Sequence, residues 1–177
     1  VSSLPVMIVG FFLIETGLIN KIRNIQTIAW TTFIFAILLY ISDKFKLDKT
    51  IKNNFTFKAA ILIGLFQILS LMPGVSRSGI AITAARILNY KREDSAKISF
   101  LLSIPILGAV SIFGIQNIMF SENLNFTTTN VIAIIFSFFF SFITIKFFLE
   151  YIKKFSLNIF VFYRVILGLI LLSIIYL

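Results

Sequence analysis

One stretch of this 177-residue chain concentrates groups that could do chemistry: Pro73-Gly74-Val75-Ser76-Arg77-Ser78-Gly79. The Arg77 guanidinium stands between two hydroxyls, Ser76 and Ser78. Gly74 and Gly79 let another backbone or a ligand come close. Pro73 breaks a helix that reaches it. A helix restarting near Ser78 or Gly79 would aim free N–H groups and the positive end of its dipole at whatever lies before it. Together these parts describe an anion site, and the planar guanidinium fork suits phosphate oxygens. The competing reading is a polar kink whose groups are satisfied by neighbouring helices.

Few other polar groups interrupt the apolar runs. Gln67, ahead of the break, is read as hydrogen-bonding across it, a structural role. Thr83 and Arg86, beyond the break, lie three apart and share a helix face. Thr83 would extend the polar lining, and Arg86 would reach cytoplasmic headgroups near Lys91. Arg164, beside Tyr163 in the last run, is either an interfacial snorkel or a buried partner for a carboxylate or phosphate, and the residues do not choose. Glu15 and Glu150 are the only carboxylates read as lying in or at the edge of an apolar run. The chain has no Cys and no His. This excludes a disulfide, a thiolate nucleophile, a phosphohistidine route and a Cys/His zinc site within these residues. Phosphate hydrolysis ordinarily needs a base or metal ligands. The anion-binding half of a site is legible here, and the acid–base half is not.

The elements that hold these residues read as membrane helices. The chain is 59% hydrophobic and 13% charged, where a soluble domain is about a quarter charged. Its 22 Phe residues exceed what one small soluble core could hide, so lipid is their solvent. Apolar runs recur along the whole chain, which a signal peptide does not explain. They cover Leu4–Ile19, Thr27–Ile41, Ala59–Met72, Ile80–Leu88, Ile98–Phe120, Asn130–Ile152 and Leu157–Leu177. A spanning helix needs about 20 residues. Ala59–Met72 and Ile80–Leu88 are too short alone, and Leu4–Ile19 is borderline, weakened by Gly10 and Gly17. Pro105 should kink Ile98–Phe120.

Charge sets the topology. A net +9 would suggest nucleic acid in a soluble protein, but here Lys and Arg sit between apolar runs and orient the chain instead. Lys44, Lys46, Lys49, Lys52 and Lys58 precede Ala59, and Lys91, Arg92 and Lys97 follow Leu88. Both regions should be cytoplasmic. The chain between them must then enter the membrane and return, which makes 59–88 a re-entrant hairpin with its tip at Pro73–Gly79. Irregular backbone at that depth is tolerated only beside protein or a wet cavity. Ile98–Phe120 leads to an outer loop, Ser121–Thr129, which contains Glu122 and no Lys or Arg. Asn130–Ile152 returns to Lys153-Lys154 inside, and the last run ends outside. Lys21 and Arg23 oppose this scheme, and Lys146 can snorkel. The expected fold is an all-α polytopic bundle, one membrane domain over 1–177, containing a re-entrant broken-helix hairpin.

The heptapeptide, preceded by Gly64-x-x-Gln67, resembles the second signature of the undecaprenyl-diphosphate phosphatases of the bacitracin-resistance type. Leu4-Pro5 with Gly10, Ser99-Phe100-Leu101-Leu102 with Pro105, and Tyr163-Arg164 extend the likeness over essentially the whole chain. The resemblance implies removal of a phosphate from undecaprenyl diphosphate, regenerating the monophosphate carrier for cell-wall synthesis. It implies a bacterial plasma-membrane location and a fold of two inverted repeats, each with a re-entrant hairpin. It also implies a first signature with catalytic carboxylates, a His and a divalent-cation site, magnesium or calcium. That signature is not in this sequence, and a start at Val1 rather than Met leads to the expectation of a fragment, inactive alone, with the cation's ligands outside it. Carried onto matching positions, Arg77, Ser76 and Ser78 are the expected catalytic residues, either serine being a candidate nucleophile. Gly74, Gly79, Thr83, Gln67 and Arg164 are the expected substrate-binding residues. The expected partners are an isoprenyl diphosphate lipid and the bilayer, with a homo-oligomer left open.

Two other functions fit the residues alone. Secondary transporters also aim broken-helix N-termini at a midplane anion site. A non-catalytic membrane subunit would need no phosphate contact from Arg77.

Overall fold

The computed structural model describes residues 1–18, 22–45, 48–119 and 128–176. Lys21, Lys46 and nearly all of the expected outer loop at 121–129 lie outside them. The chain is an all-α polytopic membrane protein, built from α1 (Leu4–Glu15), α2 (Ile25–Asp43), α3 (Ile51–Asn54), α4 (Phe57–Ile68), α5 (Arg77–Ile87), α6 (Arg92–Met119), α7 (Thr128–Lys154) and α8 (Asn158–Tyr176). Four of these, α2, α6, α7 and α8, are long and apolar enough to cross a membrane. α2 and α7 contain their expected apolar runs and extend past them, α6 starts at Arg92 ahead of its run, and α8 lies within the last run. The extensions are polar because caps and first turns need hydrogen-bonding side chains rather than apolar ones. Asn24 caps α2 by accepting the Thr27 N–H at 2.7 Å, and Arg92-Glu93-Asp94 opens α6 with carboxylates at the positive dipole end. α6 runs through Pro105 without a break.

The two short runs form a broken helix. α4 is capped by Thr56, whose Oγ1 accepts the Ala59 N–H at 3.2 Å. It passes through a 3₁₀ turn, Leu69–Leu71, to the break. α5 then ends in a left-handed cap. Asn89 has φ 73°, its N–H donates to the Arg86 carbonyl at 2.9 Å, and the Tyr90 N–H donates to the Ala85 carbonyl at 3.0 Å. Asn is the non-glycine residue best suited to that conformation. The cap turns the chain back onto the segment that preceded α4. The Lys49 N–H donates to the Asn89 carbonyl at 3.1 Å, the Lys91 N–H to the Lys49 carbonyl at 3.0 Å, and the Tyr90 hydroxyl to the Asn54 carbonyl at 2.8 Å. The chain therefore leaves and returns at one place. Between the arms, Ala59, Ile63, Ala81, Ala84, Ala85 and Tyr90 form a buried cluster. Small residues there let the two backbones approach closely.

The basic regions meet at this base. Asp43, 4% exposed, accepts from Arg92 Nε at 2.7 Å and from the Leu157 N–H at 3.2 Å, joining the ends of α2, α6 and α8. Glu93 pairs with Lys97 at 2.6 Å and Lys153 at 3.5 Å. Arg86 departs from expectation. It is 4% exposed and reaches no headgroup. Its Nη2 donates to the carbonyls of Asp43 and Phe45, each at 2.8 Å, and its Nη1 to the Tyr90 carbonyl at 3.2 Å. The end of α2 covers this end of α5, so a side chain expected to reach lipid headgroups is instead the tie between them.

At the opposite extreme, α7 is exposed from 131 to 147, including the whole Phe136–Phe142 run. A helix apolar all round and uncovered by its own chain belongs in lipid or against further protein.

Candidate anion site at the hairpin tip

The tip is clamped from two helices. Gly74 has φ 89°, and a Cβ there would collide with the Thr31 hydroxyl and approach the Ile28 carbonyl at 2.6 Å. Only glycine suits both the dihedral and the space. Thr31 on α2 donates to the Pro73 carbonyl at 2.6 Å, and Thr32 to the Gly74 carbonyl at 3.3 Å. From α8, Arg164 Nη2 donates to the same Gly74 carbonyl at 2.8 Å. Arg164 is thus directed inward to the break and is not an interfacial snorkel. α2 and α8 can converge on the tip because Gly168 packs against Phe33, where a Cβ would stand 3.0 Å from that side chain.

The restart of the helix falls slightly earlier than the residues suggested. α5 begins at Arg77, and Ser76 is its cap, with Oγ accepting the Gly79 N–H at 3.1 Å. A serine oxygen at this position satisfies one of the helix's otherwise free donors, which favours starting there. The N–H groups of Arg77 and Ser78 remain directed outward at the positive end of the dipole. The Ser76 hydroxyl still has its own proton to donate, and Ser78 is exposed with no side-chain partner among the described residues.

Ser76, Ser78, Gly74, Gly79 and Arg164 share the wall of one cavity of about 590 Å³. The rest of the wall is largely apolar, with Leu39, Ile82, Phe100, Phe148 and Phe160 among it. Arg77 is not part of that wall. Residues three, four and seven apart share a helix face, so Arg77 stands above Ile80, Ala81 and Ala84, whereas Ser78 stands above Ile82. The two guanidinium groups therefore flank the start of α5 from different sides. Neither Arg77 nor Arg164 has a carboxylate partner among the described residues.

Two expected site residues are placed elsewhere. Thr83 is buried, and its hydroxyl donates to the Gly79 carbonyl at 2.8 Å rather than lining the cavity. Gln67 is 0% exposed, yet neither its amide nitrogen nor its oxygen has a partner among the described residues, so the expected bond across the hairpin is not made. The arms meet through alanines, which offer no side-chain partner. Gly64, one turn earlier on α4, has a different role: Ser2 packs so closely that a Cβ there would collide with its carbonyl.

Asp43 is the polar residue that sequence reasoning missed. The signal was a carboxylate in the last turn of an apolar helix, where it opposes the dipole and needs a cation. Glu15 and Glu150 are both exposed. Among the described residues the cavity wall has hydroxyls, a carbonyl and a guanidinium, and no carboxylate. Among the described residues no three His, Cys, Asp or Glu come together. Hard divalent cations need oxygen ligands, usually including carboxylates, so the described residues do not fit one.

The family described as bacitracin resistance protein BacA matches residues 1–170. An undecaprenyl-diphosphatase of Pelagibacter ubique is 52% identical over 99% of this chain and 69% of its own length. One of Jannaschia sp. is 36% identical over 99% of this chain and 66% of its own, and one of Elusimicrobium minutum 40% identical over 96% and 64%. The chain spans about two thirds of the length of these curated relatives.

Proposed function

The chain belongs to the bacitracin resistance protein BacA family, and from that premise we propose that it carries the phosphate-binding part of an enzyme hydrolysing undecaprenyl diphosphate to undecaprenyl phosphate and phosphate, at the bacterial plasma membrane. The observation that carries this reading is the pair of guanidinium groups at the positive end of α5 that have no carboxylate partner among the described residues. Buried or half-buried cations at such a place need an anion, and a diphosphate supplies enough charge for both. Arg77, with the free N–H groups of α5, would take up the charge that builds on the transferred phosphoryl group. Ser76 and Ser78 would donate hydrogen bonds to it, and Arg164 would hold the neighbouring phosphate from the cavity side. Proton transfer belongs to groups outside this chain, as do the ligands of the divalent cation that the resemblance implies. The relatives compared carry a hydrolytic name, which favours this reading over transport.

The membrane placement is part of the proposal. Positive loops lie in the cytoplasm, and the basic regions meet at the hairpin base, which favours re-entry. α5 has 11 residues, so the tip would stand about 16 Å above the base, near the middle of a hydrocarbon core about 30 Å thick. Single cysteines at Asn53 and Asn89 should label from the same, cytoplasmic face, and labelling from opposite faces would end the re-entrant reading. The activity itself is tested in the full-length enzyme: phosphate release from a prenyl diphosphate, with Arg77→Ala folded but severely slowed. An Arg77→Ala enzyme within about threefold of the parent would withdraw the phosphate role.

A further inference from the structure

The cavity behind the tip is amphiphilic. One end has Ser76, Ser78 and Arg164, and most of the remainder is apolar. Part of its apolar wall is an aromatic chain with edge-to-face packing, Phe100 to Phe148 at 5.6 Å and Phe148 to Phe160 at 5.2 Å. The wall opposite α5 comes from α7, through Thr144 and Ile145, and both are exposed, Ile145 at 39%. The mouth of the cavity is therefore continuous with the apolar surface of α7. A space of about 590 Å³ suits a drug-sized ligand, far less than a whole polyprenyl chain.

We propose that this cavity seats the isoprene units next to the diphosphate, while the distal chain stays in the bilayer along α7. The inference rests on the hydrolytic reading above and deepens it. The occupant must be apolar for most of its length and anionic at one end, because among the described residues the one cation in the wall is Arg164, beside the start of α5. A prenyl diphosphate has that form. The enzyme then selects its lipid by the shape of the proximal units and not by total length. Thr144 and Ile145 become specificity residues that touch the chain and play no part in phosphate transfer.

The test uses the full-length enzyme with Thr144→Trp and, separately, Ile145→Trp. Both positions are exposed, so a larger side chain fills the cavity without overpacking a core. The substrates are farnesyl diphosphate and methyl diphosphate, which has a diphosphate but no prenyl group. The expected result is a fall of about tenfold or more in kcat/KM for the farnesyl compound, with less than about twofold change for the methyl compound. Equal losses on both substrates, or no loss on either, overturn the cavity assignment and leave the hydrolytic reading standing; no loss would point to protein or bulk lipid as the occupant. A parent enzyme that hydrolyses neither diphosphate overturns both.

Discussion

The two ends of α5 treat arginine in opposite ways. At its C-terminal end Arg86 is enclosed, with backbone carbonyls, and the Asp43 carboxylate 3.5 Å away. At its N-terminal end Arg77 and Arg164 stand near a dipole of their own sign with no carboxylate among the described residues. A cation at a helix C-terminus is favoured by the dipole, and a cation at the N-terminus is not. The first arrangement is complete within the chain. The second lacks a counter-ion among the described residues, which is where the proposed anion would sit. Under the proposed function, the same residue type on one short helix has a structural role at one end and a ligand-binding role at the other.

The comparison can be broken most forcefully at the base. Asp43→Ala leaves Arg86 buried without its carboxylate, frees Arg92 and uncaps the Leu157 N–H. Losing one partner of a buried pair costs about 3–5 kcal/mol. The expected outcome is loss of folded protein in detergent, read by thermal melting on a sizing column. An unchanged melting temperature would mean that the base network does not hold the helices. Next comes Arg77→Ala, whose melting temperature should match the parent while turnover falls about a hundredfold. Arg77→Lys should recover only part of that loss, because it keeps the charge without the planar fork. A comparable drop in thermal stability for Arg77→Ala would erase the contrast between the two ends.

Smaller effects sharpen the contrast further. Ser78→Ala removes a hydroxyl without a partner among the described residues, so stability should not move, while the apparent affinity for inorganic pyrophosphate should weaken by about 0.5–1.5 kcal/mol. Unchanged inhibition by pyrophosphate would remove Ser78 from the site. The smallest effect is expected at Lys153, exposed and 3.5 Å from Glu93. Lys153→Ala should cost less than about 1 kcal/mol, the range of surface ion pairs. A large destabilisation there would show that the basic end depends on its exposed charges as well as on Asp43.

Much of this molecule follows from sequence, and the reasons are local. Membrane helices are set by the length of apolar runs, so α2, α6, α7 and α8 were legible within a few residues. The shared base of the hairpin follows from where lysines fall, because charge orients loops whatever they later touch. The break at Pro73–Gly79 is chemistry carried by the residues themselves: a ring that lacks a donor, a glycine that tolerates φ 89°, a serine that caps. What only the tertiary structure decided are meetings between distant residues. Arg86 finds Asp43 across 43 positions, and Arg164 finds Gly74 across 90. Hydropathy and spacing carry no information about such encounters, since they depend on which helices pack side by side. The same holds for the side of α5 that Arg77 occupies. Its identity says that it is a permanent cation needing an anion. Only the packing of Ala81 and Ala84 against α4 decides that it stands apart from the cavity where Arg164 and the serines meet.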